Sequence, residues 1–231
     1  MIAVITGGTK GIGLAIIEEL AKSGYEIITC SRNQEDINAL TKRIAEEYSV
    51  PIHGFAVDLS DKNQVIDFSN IIKKIGPVSV LVNNAGVFLP GEISKEAAGN
   101  LELMIETNLY SAYYLTRALL PEMVSNNAGH IFNICSIASK IAYPNGGSYS
   151  ISKFALLGFS KVLREEMKPH GIKVTSILPG ATWSNSWAGV DLPEERLMQA
   201  SDIAKLVSNA LSLSSSANVE EIIIRPQLGD L

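Results

Sequence analysis

The sequence predicts an α/β fold: a doubly wound parallel sheet of about seven strands with helices on both faces. Three observations carry this expectation. Short β-branched runs alternate with longer amphipathic segments along the chain. Runs such as Val78-Ser79-Val80-Leu81-Val82 are apolar nearly throughout, as strands covered on both faces are. A glycine-rich turn joins the first strand directly to the first helix.

Strands are expected near residues 2–6, 26–30, 52–57, 79–83, 130–135, 173–178 and 220–224, and helices near 11–23, 33–48, 61–75, 97–125, 148–168 and 202–213. The 61–75 segment shows the logic. Ser60 and Asp61 offer a cap, Val65, Phe68, Ile72 and Ile75 recur at helical spacing, and Gly76-Pro77 stops the helix. Strict alternation of strand and helix implies parallel strands joined by right-handed crossovers. Residues 1–231 read as a single dinucleotide-binding and catalytic domain without repeats or linkers. The least regular stretch, rich in Pro, Gly, Trp and Ser, spans 179–200, and its 181–200 part is expected to form a substrate loop or lid.

Composition narrows the function classes. An apolar content of 46% supplies a core, and a net charge of −5 argues against nucleic acid or an anionic membrane as the main partner. No apolar run approaches the roughly 20 residues of a membrane span. Met1 to Ile5 reads as a buried strand rather than a signal peptide, and a cytoplasmic protein is expected. Cys30 and Cys135 fall in expected strands as small core residues. His53, His130 and His170 are scattered away from other ligating groups, so no metal site is assigned.

The first strand runs into Thr6-Gly7-Gly8-Thr9-Lys10-Gly11-Ile12-Gly13. Glycines at 7, 11 and 13 allow a tight turn and close approach of backbone to a pyrophosphate, with helix-start N–H groups facing its charge. The spacing differs from G-x-G-x-x-G and lacks the Gly-Lys-Ser/Thr of an ATP or GTP loop. Taken alone, such glycines equally serve a turn without a ligand.

The second strand ends Thr29-Cys30-Ser31-Arg32-Asn33, with no acid to hold a ribose 2′-hydroxyl. Arg32 offers a planar fork suited to a 2′-phosphate, Ser31 a further hydrogen bond and Lys10 a second positive charge, which favours NADP(H). The bland alternative for both cations is a solvated surface. Asp36 reads as a helix-start charge, and Asp58 as either an acceptor for the adenine amino group or a helix cap.

Tyr149 and Lys153 stand four residues apart, on one helix face and roughly 6 Å apart along its axis. A free phenol titrates near ~10, so proton exchange at neutral pH calls for a nearby ammonium to stabilise the phenolate. Ser136, thirteen residues upstream of Tyr149 and ending the fifth strand, is placed to hydrogen-bond a substrate oxygen. A Tyr/Lys pair alone is more often packing than catalysis. Its placement on the sheet edge that carries the glycine turn reverses that weighting.

At this point the chain resembles the short-chain dehydrogenase/reductase family over essentially its whole length. The stretches that carry the resemblance are Thr6 to Gly13, Asn83-Asn84-Ala85-Gly86, Asn108, Ser136, Tyr149 to Lys153 and Pro179-Gly180, in matching order and spacing. The resemblance implies a Rossmann-type fold and an NADP-preferring carbonyl/alcohol oxidoreductase. It further implies that Asn83 to Gly86 stabilise the central sheet beside the adenine ribose and that Asn108 holds a water in a proton relay with Lys153. Lys153 would also bind the nicotinamide ribose, Ser136 orient the carbonyl and Tyr149 transfer the proton, while Pro179, Gly180 and Thr182 border the nicotinamide. The expected catalytic set is therefore Asn108, Ser136, Tyr149 and Lys153. The expected cofactor set is Gly7, Thr9, Lys10, Gly11, Ile12, Gly13, Ser31, Arg32, Asp58, Leu59, Asn84, Ala85, Gly86, Lys153, Pro179, Gly180 and Thr182.

A homotetramer or homodimer pairing the helices near 97–125 and 148–168 is likewise implied by the resemblance. Substrate selection is expected from Ser136 to Tyr143, Phe88-Leu89 and residues 181–200, where Trp183 and Trp187 form either a lid or simple packing. Asp191 to Arg196 reads as a short capped helix. Two other functions remain open: a catalytically silent NADP(H)-binding sensor or scaffold, and nucleotide-sugar epimerase or dehydratase chemistry. The intact Asn108, Ser136, Tyr149 and Lys153 weigh against the first. The glycine spacing and the lack of a large C-terminal substrate region weigh against the second.

Overall fold

The computed structural model describes residues 1–183, 193 and 196–229. Seven strands form one sheet: β1 (Ile2–Thr6), β2 (Glu26–Ser31), β3 (Ile52–Ala56), β4 (Val78–Asn83), β5 (Gly129–Ile134), β6 (Ile172–Pro179) and β7 (Glu221–Ile224). Their order is β3-β2-β1-β4-β5-β6-β7, and each neighbouring pair is parallel. The helices are α1 (Gly11–Lys22), α2 (Gln34–Tyr48), α3 (Lys62–Ile75), α4 (Asn100–Ile105), α5 (Ser111–Asn126), α6 (Gly147–Met167) and α7 (Ala200–Ser212). No helix among the described residues is long and apolar enough to cross a membrane.

Successive strand residues point to opposite faces, so each apolar strand feeds two cores. Val4, Leu81 and Ile131 pack with Phe68 and Ile72 of α3, Leu115 and Leu119 of α5 and Leu163 of α6. Ala3, Ile5, Val82 and Phe132 pack with Ile16 and Leu20 of α1, Leu40 and Ile44 of α2, and Ile203 and Val207 of α7. Both cysteines are free and buried, and burial pushes the Cys30 and Cys135 thiols up to about 12 and about 11. His130 stacks on Phe132 with ring centroids 4.0 Å apart, and desolvation lowers its pKa to about 3, which keeps it neutral.

The strand and helix positions expected from sequence agree with these bounds to within two residues, except over 97–125, where the helix begins three residues late at Asn100, after Gly99 at φ +93. The single helix expected over 97–125 is interrupted by a π-helical turn, Glu106–Tyr110, where the Ser111 N–H reaches back five residues to the Glu106 carbonyl. The extra residue turns Asn108 fully inward. A smaller correction concerns α3: Asp61 alone caps it, accepting from the Asn63 N–H at 2.8 Å.

Behind the carboxyl end of β4 lies a buried polar chain. Asn83 Nδ2 donates to Thr116 Oγ1 (3.0 Å) and to Asn133 Oδ1 (2.8 Å), and Asn133 Nδ2 donates to Ser160 Oγ (2.8 Å). Four elements, β4, β5, α5 and α6, are locked together by amides that water cannot reach. Leaving a buried polar group unpaired costs about 1–3 kcal/mol. Asn83→Ala, which strands Asn133 and Thr116, is expected to lower the unfolding free energy by about 2–4 kcal/mol in urea denaturation; a loss below about 0.5 kcal/mol would contradict the account.

Candidate active site

A cleft of about 1250 Å³ opens along the carboxyl ends of the strands. Residues one or two positions beyond all seven strand ends line it: Gly7, Arg32, Asp58, Asn84, Ser136, Gly180 and Arg225. It is centred where the strand order reverses between β1 and β4, the place where crossovers leave to opposite faces and a crevice must form.

Two residues hold that point. Thr6 Oγ1 accepts the N–H groups of Asn84 and Ala85, both at 3.0 Å, and Asn84 Nδ2 donates to the carbonyls of Thr6 (2.8 Å) and Gly7 (3.2 Å). Gly7, at φ +68, turns the chain, and the Gly7 and Gly8 N–H groups donate to the Cys30 carbonyl. α1 then starts with no side-chain cap and no acid in its first turn. Its unpaired N–H groups and the positive end of its dipole suit a phosphate anion, so these residues fit the dinucleotide that the glycine turn suggests.

At the ribose end, Ser31 Oγ accepts from Thr9 Oγ1 at 3.1 Å and Arg32 stands exposed on the cleft wall. Lys10 departs from the simple expectation of a second positive charge, because it forms an ion pair with Asp36 at 2.9 Å. Asp36 thus serves both the start of α2 and this pair. Asp58 does not cap α3; it accepts from the Ser60 N–H (3.0 Å) and hydroxyl (2.7 Å) while lining the cleft.

Across the cleft, Ser136 follows β5 and caps a short 3₁₀ turn, accepting from the Ala138 N–H at 3.1 Å. Tyr149 and Lys153 project from the first turns of α6. Phe88 packs edge-on against the Tyr149 ring, centroids 4.8 Å apart. Lys153 is buried, its Nζ donating to the Ile134 carbonyl at 2.9 Å and lying 5.8 Å from the Tyr149 ring centroid. Desolvation lowers its pKa to about 8, and the Cys135 thiol opposes that weakly. The Tyr149 phenol is shifted upward, first by burial and then by Cys135, with a hydrogen bond from the Ser136 hydroxyl acting the other way. The expected lowering of the phenol by an adjacent ammonium is therefore corrected: the lysine is turned to a backbone carbonyl, and burial dominates.

Asn108 Oδ1 accepts the Val87 N–H (2.7 Å), and its Nδ2 donates to the Val87 carbonyl (3.0 Å) and to Ser152 Oγ (2.8 Å). Both amide protons are used, so Asn108 itself can hold a water only through a lone pair on Oδ1 or on its backbone carbonyl. A methyl group on Gly86 would meet Asn108 Oδ1 at 3.1 Å and Lys153 Nζ at 3.5 Å, which places both groups behind the same glycine.

Of the expected catalytic and cofactor residues, the cleft gathers all except Gly13 and Asn108, while Leu89, expected to select substrate, does not line it. Gly13 sits behind it, where a side chain would overlap the Gly7 carbonyl. Trp183 is about one-third exposed and does not line the cleft; Trp187, and most of the helix expected over 191–196, lie outside the described residues. Sequence reasoning missed Leu103, Thr107 and Arg225 as lining residues. For Arg225 a signal was present, since it directly follows the last strand.

Comparison with known proteins agrees with this geometry. The short chain dehydrogenase family model matches residues 1–194. An uncharacterized oxidoreductase of Staphylococcus saprophyticus is 32% identical over 97% of both chains. A sepiapterin reductase of Chlorobaculum tepidum is 32% identical, covering 100% of this chain and 98% of its own. Among solved structures, an alcohol dehydrogenase from the archaeon Thermococcus sibiricus, complexed with 5-hydroxy-NADP, superimposes with a TM-score of 0.92 at 26% identity, over 100% of this chain and 98% of that one.

The buried lysine has a measurable cost. Folded Lys153 releases its proton near pH 8 and an unfolded lysine near 10.5, so its full penalty is present below pH 8 and fades as pH rises towards 10.5. In the protein without cofactor, Lys153→Met is expected to raise the unfolding free energy at pH 7 by about 1–3 kcal/mol, with the gain narrowing at pH 10. A destabilised variant in urea titrations at both pH values would contradict this.

Proposed function

The chain belongs to the short-chain dehydrogenase family and is an oxidoreductase, and on that premise we propose that it reduces a small carbonyl compound to an alcohol, or the reverse, with NADP(H). The observation that carries the reading is the joining in one cleft of an uncapped helix start, an arginine at the end of β2, and Ser136, Tyr149 and Lys153. The NADP-derived ligand of the archaeal alcohol dehydrogenase and the name of the sepiapterin reductase support the cofactor and the carbonyl chemistry.

The first turn of α1 and the Gly7 turn would hold the pyrophosphate, and Arg32 with Ser31 the 2′-phosphate. The bound cofactor supplies or accepts the hydride at the substrate carbon. The protein's own work is proton transfer and positioning. Ser136 holds the substrate oxygen beside Tyr149, whose phenol stays protonated at neutral pH and is therefore ready to donate as the oxygen gains charge. Lys153, half protonated near pH 8 and mostly an ammonium at pH 7, stabilises the phenolate left behind, which regains its proton from solvent along the side of the site that holds Lys153 and Asn108. Phe88 keeps water from the face of the ring it covers. A homotetramer or homodimer built on the long helices remains part of this proposal.

Tyr149→Phe is expected to cut turnover with NADPH and a panel of ketones and aldehydes by about 10²–10⁴-fold while NADPH affinity changes little. Near-normal turnover would reject the proton-transfer role, and cofactor binding without turnover by the unaltered protein on any carbonyl would favour a silent binder. Arg32→Asp is expected to weaken NADPH by about 10- to 100-fold, far more than NADH. Equal losses for both would remove Arg32 from the 2′-phosphate site.

A further inference from the structure

The catalytic helix starts in an unusual way. α6 begins at Gly147, and its N-cap, Gly146, has no side chain with which to satisfy the free N–H groups. The cap comes instead from Glu96, 52 residues away in the chain from Ser148. Glu96 Oε1 accepts the Ser148 N–H at 2.8 Å, and Oε2 accepts the Ser148 hydroxyl. A carboxylate at a helix start both pairs an orphan donor and meets the positive end of the helix dipole.

The backbone has been cut to fit this group. A methyl group on Gly147 would overlap the Glu96 carboxylate, and one on Gly91 would come within 2.6 Å of Glu96 Cγ. Gly91 also pairs in parallel with Gly146, its N–H donating to the Asn145 carbonyl at 3.0 Å. The 87–99 segment is thereby fastened at two points to the residues that immediately precede Tyr149. Its other end carries Phe88, packed on the Tyr149 ring.

We propose that Glu96 is a positioning residue for the proton-transfer step: from outside the cleft it caps α6 and ties the 87–99 segment to it, fixing where Tyr149 and Phe88 meet the substrate. The inference rests on the role of Tyr149 proposed above. Glu96 touches neither substrate nor cofactor and acts through Ser148. Its effect should therefore fall on the substrate side of the reaction and spare the dinucleotide end of the cleft.

The test compares Glu96→Ala and Glu96→Gln in the full chain. NADPH affinity, steady-state kinetics on a carbonyl turned over by the unaltered protein, and amide hydrogen exchange are each measured. Glu96→Ala is expected to lower kcat by about 10- to 100-fold and raise KM for the carbonyl, with the Kd for NADPH within about twofold, because a displacement near 1 Å at a reacting group has that effect. Exchange should quicken in residues 88–99 and 147–152 and stay unchanged in α1. Glu96→Gln, which keeps an oxygen for the Ser148 N–H, should recover much of kcat. Unchanged kcat and KM in Glu96→Ala would overturn the proposal, as would losses that track NADPH affinity or an unaltered exchange pattern. If the unaltered protein turns over no carbonyl, the reading of Tyr149 fails on its own, and with it the positioning role, even where exchange shows the tether to be real.

Discussion

The structure depends on what happens between β1 and β4. The sheet reverses its order there, and the chain must be held together without the help of a crossover helix. The parallel ladder between β1 and β4 runs out at Ile5 and Val82, and beyond it one threonine hydroxyl and one asparagine amide hold the two ends: Thr6 takes the N–H groups of Asn84 and Ala85, and Asn84 returns its amide protons to the carbonyls of Thr6 and Gly7. Fixing Gly7 fixes the turn, the turn sets the direction of α1, and the start of α1 sets where an anion can rest. Gly13 joins the same arrangement because any side chain there would strike the Gly7 carbonyl.

The groups on the opposite wall are placed by departures from regular structure. Asn108 points inward from a π-helical turn, Ser136 caps a short 3₁₀ turn, and Tyr149 follows a helix start that two glycines leave without a cap of its own. Each departure costs regular hydrogen bonding and is offset by a specific partner: Val87 and Ser152 for Asn108, Ala138 for Ser136, Glu96 for the start of α6. Lys153 is the extreme case, a cation kept in the protein interior with one carbonyl as its hydrogen-bond partner. A fold selected only for stability has no use for that lysine, which is why its burial beside Tyr149 points to chemistry.

Much of this was legible in the sequence, because it rests on local rules. Apolar runs and helical spacing predict all seven strands and nearly all helix bounds, since burial on both faces leaves a plain signature. The glycine turn, Arg32 and the Tyr149/Lys153 pair are recognisable because their chemistry depends on residue type and short spacing. What escaped is set by contacts between distant segments. No local pattern says that Lys10 pairs with Asp36, that Lys153 turns to Ile134 rather than to the phenol, or that Glu96 reaches Ser148. The π-helical turn at Asn108 was hidden for the same reason, because its partners, the Val87 backbone and the Ser152 hydroxyl, come from distant segments. Trp187 lies outside the described residues, and with it the choice between lid and packing.

The account stands on a cleft shaped for a 2′-phosphorylated dinucleotide, and binding tests that most directly. Purified protein is titrated with NADPH and with NADH, followed by quenching of tryptophan emission and by cofactor fluorescence. The account predicts saturable binding of NADPH, tighter than NADH by at least about tenfold, since charge-assisted hydrogen bonds to the extra phosphate are worth roughly 1.5–3 kcal/mol. Preference for NADH would contradict the reading of the β2 end, and binding of neither would contradict the reading of the cleft itself.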